Sequence, residues 1–459
     1  MEEEDKFDEA GVDIPLSPTV RDAGGPVYFR RGLRSQGSLS RISAVIRRSL
    51  RLPSRRSMST MDSARRMSRN RDDEGGPRFT EYSDLRVLVY PAIPSRIDDI
   101  RECRRQNRQS KVKQIVRKAN WPARHEVRRE LWKELCRDKS YDASVAVFND
   151  ENTVQVLNEA RAHSPAFLKE EGAVVNTYSL TEDGTVRLIR MLAMVEQLRP
   201  DISSAPILYP LCALFMHYML DQDAYACAQF LARRGQEKNP PVHLLMTRVQ
   251  WEATPHVILA LVKKHKPNAY ALLKKKAATH DDEILVETMR DWKAWLFQHL
   301  PLSHIVRVVD CFLVEGHKFL LRAAVAVVYM WSKIQKAKPD HAFDGRSGEE
   351  KITALKKELA DTATQCQPCD QGDVPHSSSS LVSTETFIEM AVLIKNLKSS
   401  TIARLQSAFE KKVREEQVKG HARRISTNVY CYTNAFESTI LTKDIAKQIM
   451  ARYGGTVAG

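Results

Sequence analysis

Apolar residues recur at helical spacing from about residue 79 to Ile334, and this periodicity constrains the fold more than any other feature. The series Val127, Leu131 and Leu135 is one example, and strand-like alternation is scarce. The pattern therefore predicts an all-α, multi-helix domain. We expect its helices to break at the prolines of this region, which are Pro122, Pro200, Pro206, Pro240, Pro241, Pro255, Pro267 and Pro301.

Composition divides the chain into five parts. Residues 1–78 form an Arg- and Ser-rich tail that we expect to be disordered, and residues 79–336 form the helical domain. A polar linker is predicted over 337–381, and a helical extension that completes the domain over 382–420. The last part, 421–459, shows no clear core pattern.

Most of the positive charge lies in the tail. The formal net charge is +14, and residues 29–71 carry 13 Arg, no Lys and a single acid, Asp62. Apolar residues at helical spacing between Leu39 and Leu50 are typical of a basic amphipathic helix on an anionic bilayer. A solvated tail without specific contacts is the main alternative. Nucleic-acid binding is not expected, because no aromatic residue interrupts the Arg run after Phe29.

Motifs for nucleotide, metal or acyl chemistry are missing. The sequence contains no GxxxxGK[ST], GxGxxG, HExxH or GxSxG pattern, so we expect no cofactor and no metal. The lone CxxC at Cys366–Cys369 lacks a second ligand pair and is interpreted as coincidence. The acidic start, the absence of a long apolar run and the scattered cysteines favour a cytoplasmic protein.

Two stretches are more specific. From Trp292 onwards the sequence predicts an aromatic-rich helix, a turn at Pro301, a helix with Arg307 and Asp310 on one face, and a helix stop at Gly316. This stretch resembles the third signature of the TBC domain, the helical GTPase-activating domain for Rab-type small GTPases. The segment from Trp121 to Trp132 resembles the first signature. A structural Arg307–Asp310 ion pair in a well-packed pair of helices is the alternative interpretation of these two charges.

The phrase from Leu300 to Gly316 is similar to the atypical Skywalker subfamily of TBC proteins, and the resemblance extends over about Ile115 to Ile334. That subfamily usually ends in a TLDc domain. The resemblance implies that 421–459 is the lead-in to a TLDc domain and that this chain is a short form without it.

The resemblance also indicates where catalytic residues belong. TBC domains that activate Rab proteins supply an Arg from an IxxDxxR motif and a Gln from a YxQ motif, which stabilise phosphoryl transfer. The matching windows here, Asn176–Val186 and Asp201–Leu211, contain no Arg and no Gln respectively. Arg187 lies just outside the first window. We therefore expect no conventional GTPase activation and no enzyme activity of this kind.

In place of the fingers, the resemblance implies a cationic pocket for phosphoinositide head groups. The positions assigned to it are Arg128 and Arg307, with Arg124 four residues before Arg128 and expected on the same helical face. Two further basic stretches, Arg101–Arg129 and Lys263–Lys276, are interpreted as solvated faces.

The sequence thus favours an atypical TBC protein that binds phosphoinositide membranes and regulates Rab-dependent vesicle traffic. Its expected partners are phosphoinositide-containing membranes and a Rab-family GTPase. Its expected place is the cytoplasmic face of vesicle, endosomal or presynaptic membranes. An active Rab GTPase-activating protein with unconventional residues is the alternative.

Overall fold

The computed structural model describes residues 80–85, 96–119, 121, 123–150, 165–168, 173–233, 243–336, 347–366, 382–394 and 397–440. These residues fall in one compact unit. Helices make up the described part, and the only extended pairing within it is a single antiparallel bridge between Ser83 and Leu180. The prediction of an all-α fold is confirmed. The predicted disordered tail, 1–78, lies outside the described residues.

Sixteen helices are numbered in chain order within the described residues, together with a 3₁₀ turn at Ala166–Leu168 and a π-helix at Trp295–His299. They are α1 (Ile97–Arg105), α2 (Gln109–Lys118), α3 (Val127–Cys136), α4 (Tyr141–Phe148), α5 (Glu182–Leu198), α6 (Leu208–Tyr218), α7 (Asp221–Ala232), α8 (Arg248–His265), α9 (Pro267–Ala277), α10 (Asp282–Met289), α11 (Trp292–Ala294), α12 (Leu302–Glu315), α13 (His317–Lys336), α14 (Gly348–Thr364), α15 (Thr384–Val392) and α16 (Ser399–Ile440).

Helices α12 and α13 form the centre of the domain. Every residue from Ser303 to Glu315 is buried, and α12 packs against α2, α3, α13 and α15. The two central helices are joined at Gly316, whose φ of 70° lies in the region that glycine adopts at little cost. This confirms the predicted helix stop at Gly316. Residues far apart in sequence thereby meet around α12.

Two predicted interruptions are wrong. Pro255 lies buried inside α8, where it removes one backbone hydrogen bond and costs about 3 kcal/mol relative to Ala. Burial of the apolar residues around it, such as Trp251 and Ile258, offsets that cost. The predicted linker 337–381 contains helix α14, because Ser347 and Glu350 form a capping box at its start.

The C-terminal extension is helical as expected. Helices α15 and α16 lie where the helical segments Thr384–Leu397 and Thr401–Gln417 were predicted, with different ends. Helix α16 packs against α8. The α16 helix runs on to Ile440, and residues 441–459 lie outside the described part of the chain. Within that described part, no helix has the length and the apolar composition needed to cross a bilayer.

Candidate functional site

Two of the predicted pocket residues, Arg128 on α3 and Arg307 on α12, meet at one buried carboxylate. Oδ2 of Asp310 accepts hydrogen bonds from Nη2 of Arg128 at 3.2 Å and from Nη1 of Arg307 at 3.1 Å. Its Oδ1 accepts from Nε1 of Trp132 at 2.7 Å. All four side chains are almost completely buried. The Arg307–Asp310 ion pair, which was the alternative interpretation of the sequence, is therefore formed, and Arg128 shares the same carboxylate.

Backbone carbonyls take up further donors of the two arginines. Arg128 donates to the carbonyl oxygens of Trp121 and Ala123, both at 3.1 Å. Arg307 donates to the carbonyl oxygens of Val116 at 3.2 Å and Arg117 at 3.3 Å, which lie in the last turn of α2. This arrangement holds α2, α3 and α12 together, since each arginine reaches a different piece of backbone.

A second carboxylate completes the charge balance of this buried group. Nε of Arg307 lies 3.2 Å from Oε1 of Glu385 at the start of α15. Burial by itself would lower the pKa of Arg307, but the charges of Asp310 and Glu385 act the other way and the pKa is raised. Arg307 therefore stays charged and paired.

Arg124 occupies a different position from the one expected. Helix α3 begins at Val127, and Arg124 is half-buried in the turn before it. The expectation that Arg124 and Arg128 share a helical face is wrong, because no helical turn joins the two residues.

A more accessible group of basic residues lies next to this buried network. We define the cationic cluster as Lys113 and Arg117 on α2 with Lys318 and Arg322 on α13. Glu315 is buried among them. Arg117 binds it through two contacts of 2.7 Å, and Nη1 of Arg322 donates to its Oε2 at 2.8 Å.

The charges of the cationic cluster act on one another. Burial lowers the pKa of Lys318, and the positive charges of Arg322, Lys113 and Arg117 lower it further, although Glu315 acts in the opposite direction. Among the described residues, Glu315 is the acid that pairs with Arg117 and Arg322, and no carboxylate lies within ion-pair distance of Lys113 or Lys318. The cluster thus has a net charge of +3, and its strained electrostatics would be relieved by a bound anion.

One donor of the cationic cluster is left over. Nε of Arg322 is buried and has no hydrogen-bond partner among the described residues, while Nη2 lies 3.5 Å from the carbonyl oxygen of Ile394. Lys113, Arg117 and Lys318 are partly exposed. Ammonium and guanidinium groups that converge in this way are the usual ligands of a phosphate-bearing molecule.

Sequence reasoning missed the cationic cluster, although a signal existed. Lys113–Arg117 and Lys318–Arg322 have the same Lys-x-x-x-Arg spacing, which puts each pair on one helical face. The first pair lies inside the stretch Arg101–Arg129, which was interpreted as a solvated face. The sequence alone does not show that α2 contacts the corner between α12 and α13.

The first catalytic window forms a tightly held loop. Nδ2 of Asn176 and the hydroxyl of Tyr178 both donate to the carbonyl oxygen of Phe297, at 2.9 Å and 2.6 Å. Tyr178 and Ser179 have φ angles of 52° and 69°, which non-glycine residues seldom adopt. Neighbouring contacts therefore determine the loop conformation.

Arg187, the possible substitute for a catalytic Arg, is bound to acids of its own domain. Its Nε lies 3.1 Å from Asp183 and its Nη1 lies 3.1 Å from Asp221, while its guanidinium stacks over the Tyr82 ring. The middle of the second window consists of the buried residues Ser204 and Ala205. Neither has a side-chain amide that could take the place of the missing Gln.

Comparisons with known proteins agree with this architecture. The family profile of the Rab-GTPase-TBC domain matches residues 125–335. The GTPase-activating protein skywalker of Drosophila melanogaster is 27% identical over 57% of this chain and 45% of its own length. TBC1 domain family member 24 of Xenopus laevis is 26% identical over 74% of this chain and 57% of its own length. The chain spans about half the length of these relatives.

Two solved structures of the Drosophila melanogaster Skywalker/TBC1D24 TBC domain are similar in fold. One covers 74% of this chain and 100% of its own, with 24% identity and a TM-score of 0.54. The other, solved in complex with inositol(1,4,5)triphosphate, covers 68% of this chain and 100% of its own, with 25% identity and a TM-score of 0.53. Residues 125–335 therefore correspond to a Rab-GTPase-TBC domain, and the chain is homologous to Skywalker and TBC1 domain family member 24.

Proposed function

We propose that this chain is an atypical TBC protein that binds phosphoinositide head groups at the cationic cluster and regulates Rab-dependent vesicle traffic. The observation that carries the proposal is the convergence of Lys113, Arg117, Lys318 and Arg322 around a single carboxylate, Glu315. An inositol ring with several phosphates matches a site with this net positive charge. The inositol phosphate complex of the similar Drosophila domain supports the same ligand class.

The roles within the cluster differ. Lys113 and Lys318 form no ion pair with a described carboxylate and are the natural first contacts for a phosphate. Arg117 and Arg322 are held by Glu315, which fixes their guanidinium planes before the ligand arrives. Such preorganisation reduces the entropy lost on binding.

Direct head-group binding by Arg124, Arg128 and Arg307 stays a prediction. The contacts of Arg307 with the carbonyls of Val116 and Arg117 support a positioning role, because they hold the last turn of α2, which carries the Arg117 side chain. A head group bound directly by Arg128 or Arg307 would have to displace Asp310.

The test is co-sedimentation with phosphatidylcholine vesicles, with and without phosphatidylinositol 4,5-bisphosphate. The variant is Lys113→Gln/Lys318→Gln, which leaves the ion pairs of Glu315 in place. The matched control is Arg105→Gln/Lys411→Gln, which removes two charges from strongly exposed side chains on α1 and α16.

Each charge-assisted contact contributes about 1.5–3 kcal/mol, so the cluster variant should lose at least about 100-fold in affinity for the phosphoinositide vesicles. The control should bind as the unchanged protein does. Equal binding by the cluster variant, with an unchanged circular dichroism spectrum, would refute the site.

Rab GTPase activation is the second candidate function, and the TBC fold favours it. We infer that any activation is weak, because the windows lack Arg and Gln and because Arg187 is bound by Asp183 and Asp221. A finger Arg contributes roughly 10³–10⁵ in rate.

Single-turnover GTP hydrolysis on a panel of Rab proteins measures this activity directly. We expect little acceleration, and no difference between the unchanged protein and Arg187→Ala. Strong activation that disappears in Arg187→Ala would show that Arg187 leaves its carboxylates and acts as the finger.

We also propose a peripheral location on vesicle, endosomal or presynaptic membranes. A fluorescent fusion of the Lys113→Gln/Lys318→Gln variant should lose membrane localisation in neurons, whereas the Arg105→Gln/Lys411→Gln control should keep it. Loss of localisation in both variants would mean that total charge, rather than the cationic cluster, recruits the protein.

A further inference from the structure

Helix α13 carries more basic residues along the face that contributes to the cationic cluster. Lys318 and Arg322 are followed by Tyr329, Lys333 and Lys336, at intervals of four, seven, four and three residues. At 3.6 residues a turn these positions lie in one narrow row along the helix. The row from Lys318 to Lys336 is about 27 Å long, at 1.5 Å per residue. Residues 319–328, between Lys318 and Tyr329, are buried, so this face of α13 is accessible at its two ends, at the cationic cluster and over the last two turns of the helix.

The Tyr329 ring contacts two lysines from different helices near the C-terminal end of α13. Nζ of Lys266, at the end of α8, lies 3.9 Å from the centre of the Tyr329 ring, and Nζ of Lys333 lies 5.3 Å from it. The aromatic ring attracts both ammonium groups and limits their freedom. Two like charges are thus held close together at a fixed place.

These lysines have no acidic partner. Among the described residues, no carboxylate lies within ion-pair distance of Lys264, Lys266 or Lys333, whereas the nearby Lys263 is paired with Asp282 at 3.0 Å and Lys276 is 3.6 Å from Glu358. Lys264, Lys333 and Lys336 are exposed. We call Lys264, Lys266, Lys333 and Lys336 the lysine stripe.

The lysine stripe and Arg322 of the cationic cluster act on a common residue, His265. The pKa of His265 is lowered first by burial and then by the charges of Lys264, Lys266 and Arg322. One residue therefore senses both groups of cations. A flat anionic surface that approaches the cationic cluster would meet the lysine stripe as well.

We propose that the lysine stripe is a second membrane contact, which binds the phosphatidylserine-rich surface of a bilayer while the cationic cluster holds a phosphoinositide head group. The proposal rests on the proposed function for its orientation at the membrane. Charge complementarity and the position of Lys318, Lys333 and Lys336 on the same face of α13 favour a bilayer over an acidic protein. Measured along α13, Tyr329 lies about 16 Å from Lys318. A single head group is too small to occupy both places.

The test uses the full chain and two double variants that remove equal charge. The stripe variant is Lys266→Gln/Lys333→Gln and the cluster variant is Lys113→Gln/Lys318→Gln. Each is measured on phosphatidylcholine vesicles with phosphatidylserine alone, and on vesicles with phosphatidylinositol 4,5-bisphosphate added. Calorimetry with soluble inositol(1,4,5)trisphosphate provides a readout without a membrane. The basic segment 29–71 is present in every variant and cancels in the comparison.

A lysine near an anionic surface contributes a factor of about five, so the stripe variant should lose about 30-fold on phosphatidylserine vesicles and show a weaker dependence on salt. Its affinity for soluble inositol(1,4,5)trisphosphate should be unchanged. The cluster variant should lose the response to phosphoinositide instead. If only the phosphatidylserine loss is observed, the lysine stripe stands and the proposed head-group site fails.

Unchanged binding of the stripe variant to phosphatidylserine vesicles would overturn the inference, as would a failure of the unchanged protein to bind them. Either result would leave the stripe to an acidic protein partner. Because Lys266 packs on Tyr329, a second variant, Lys264→Gln/Lys336→Gln, tests the stripe at exposed positions only. A loss confined to Lys266→Gln/Lys333→Gln, with a lowered melting temperature, would also overturn it.

Discussion

Replacing Asp310 by Asn is the most informative single change in this protein. The substitution keeps the shape of the side chain but removes the negative charge that Arg128 and Arg307 share. Both guanidinium groups stay buried, and their remaining partners include backbone carbonyls and, for Arg307, the partly exposed Glu385. A buried charge that loses its counter-ion is strongly destabilising.

The size of the effect follows from the contacts. Removing one partner of a buried ion pair typically costs 3–5 kcal/mol, and Asp310 serves two arginines with 0% and 1% exposure. The Asn amide retains an oxygen for Trp132, so this hydrogen bond need not be lost. We therefore expect the free energy of unfolding to fall by about 4 kcal/mol.

Urea denaturation measures this loss, and Asp98→Asn is the matched control. Asp98 pairs with Arg101 at 2.9 Å, but both side chains are exposed, so its loss should cost at most about 1 kcal/mol. A fall of less than about 1 kcal/mol in Asp310→Asn would refute the view that Asp310 is the centre of a structural network.

The same variant separates a structural from a ligand-binding role of the two arginines. If Arg128 and Arg307 bind a head group directly, removal of the competing carboxylate should strengthen binding of inositol(1,4,5)trisphosphate in the fraction that stays folded. If they only position α2 and α3, binding should be unchanged or weaker. We expect the second result.

Three further predictions address pH, the cationic cluster and the tail. Burial lowers the pKa of three histidines to about 4, and these are His217, His304 and His317. The unfolded state takes up a proton on each of these histidines near pH 6.5, whereas the folded state does not. The free energy of unfolding, measured by urea denaturation, should therefore fall as the pH is lowered from about 6.5 to 4, by up to about 3 kcal/mol for each histidine; an unchanged free energy over this range would contradict this. Glu315→Gln should lower stability by about 3 kcal/mol but strengthen inositol(1,4,5)trisphosphate binding in calorimetry, because one negative charge leaves the cluster; weaker binding in the folded variant would mean that Glu315 is needed to orient the arginines. Deletion of 29–71 should weaken binding to phosphatidylserine vesicles and reduce its salt dependence, because the segment carries 13 Arg; equal sedimentation would show that the tail is inert.

The fold class could be read from the sequence because helical periodicity is a local property. The apolar series of α3, α5 and α6 repeats every three or four residues, and a single window suffices to detect it. Gly316 was correctly predicted as a helix end for the same reason. The signatures around Trp132 and Arg307 also lie in continuous segments, so the resemblance to TBC domains needed no knowledge of contacts.

Local signals failed where packing outweighed them. Pro255 predicts a break, but the buried residues on both sides stabilise α8 through it. The polar stretch after residue 336 resembles a linker, yet α14 buries Leu355 and Leu359 against the domain. Neither outcome follows from composition, since the compensating contacts come from other helices.

By itself the sequence determined that the chain is helical, that it resembles a TBC domain, and that its finger windows lack Arg and Gln. Only the tertiary structure decided which basic residues are buried and which face solvent. Arg128 and Arg307 are 179 residues apart and share Asp310, whereas Arg117 and Arg322 are 205 residues apart and share Glu315. The physical reason is that the residues next to a charged side chain in the sequence do not indicate which distant residue will be its counter-ion. The packing of α2 and α3 on α12 and α13 determines both the partner and the exposure.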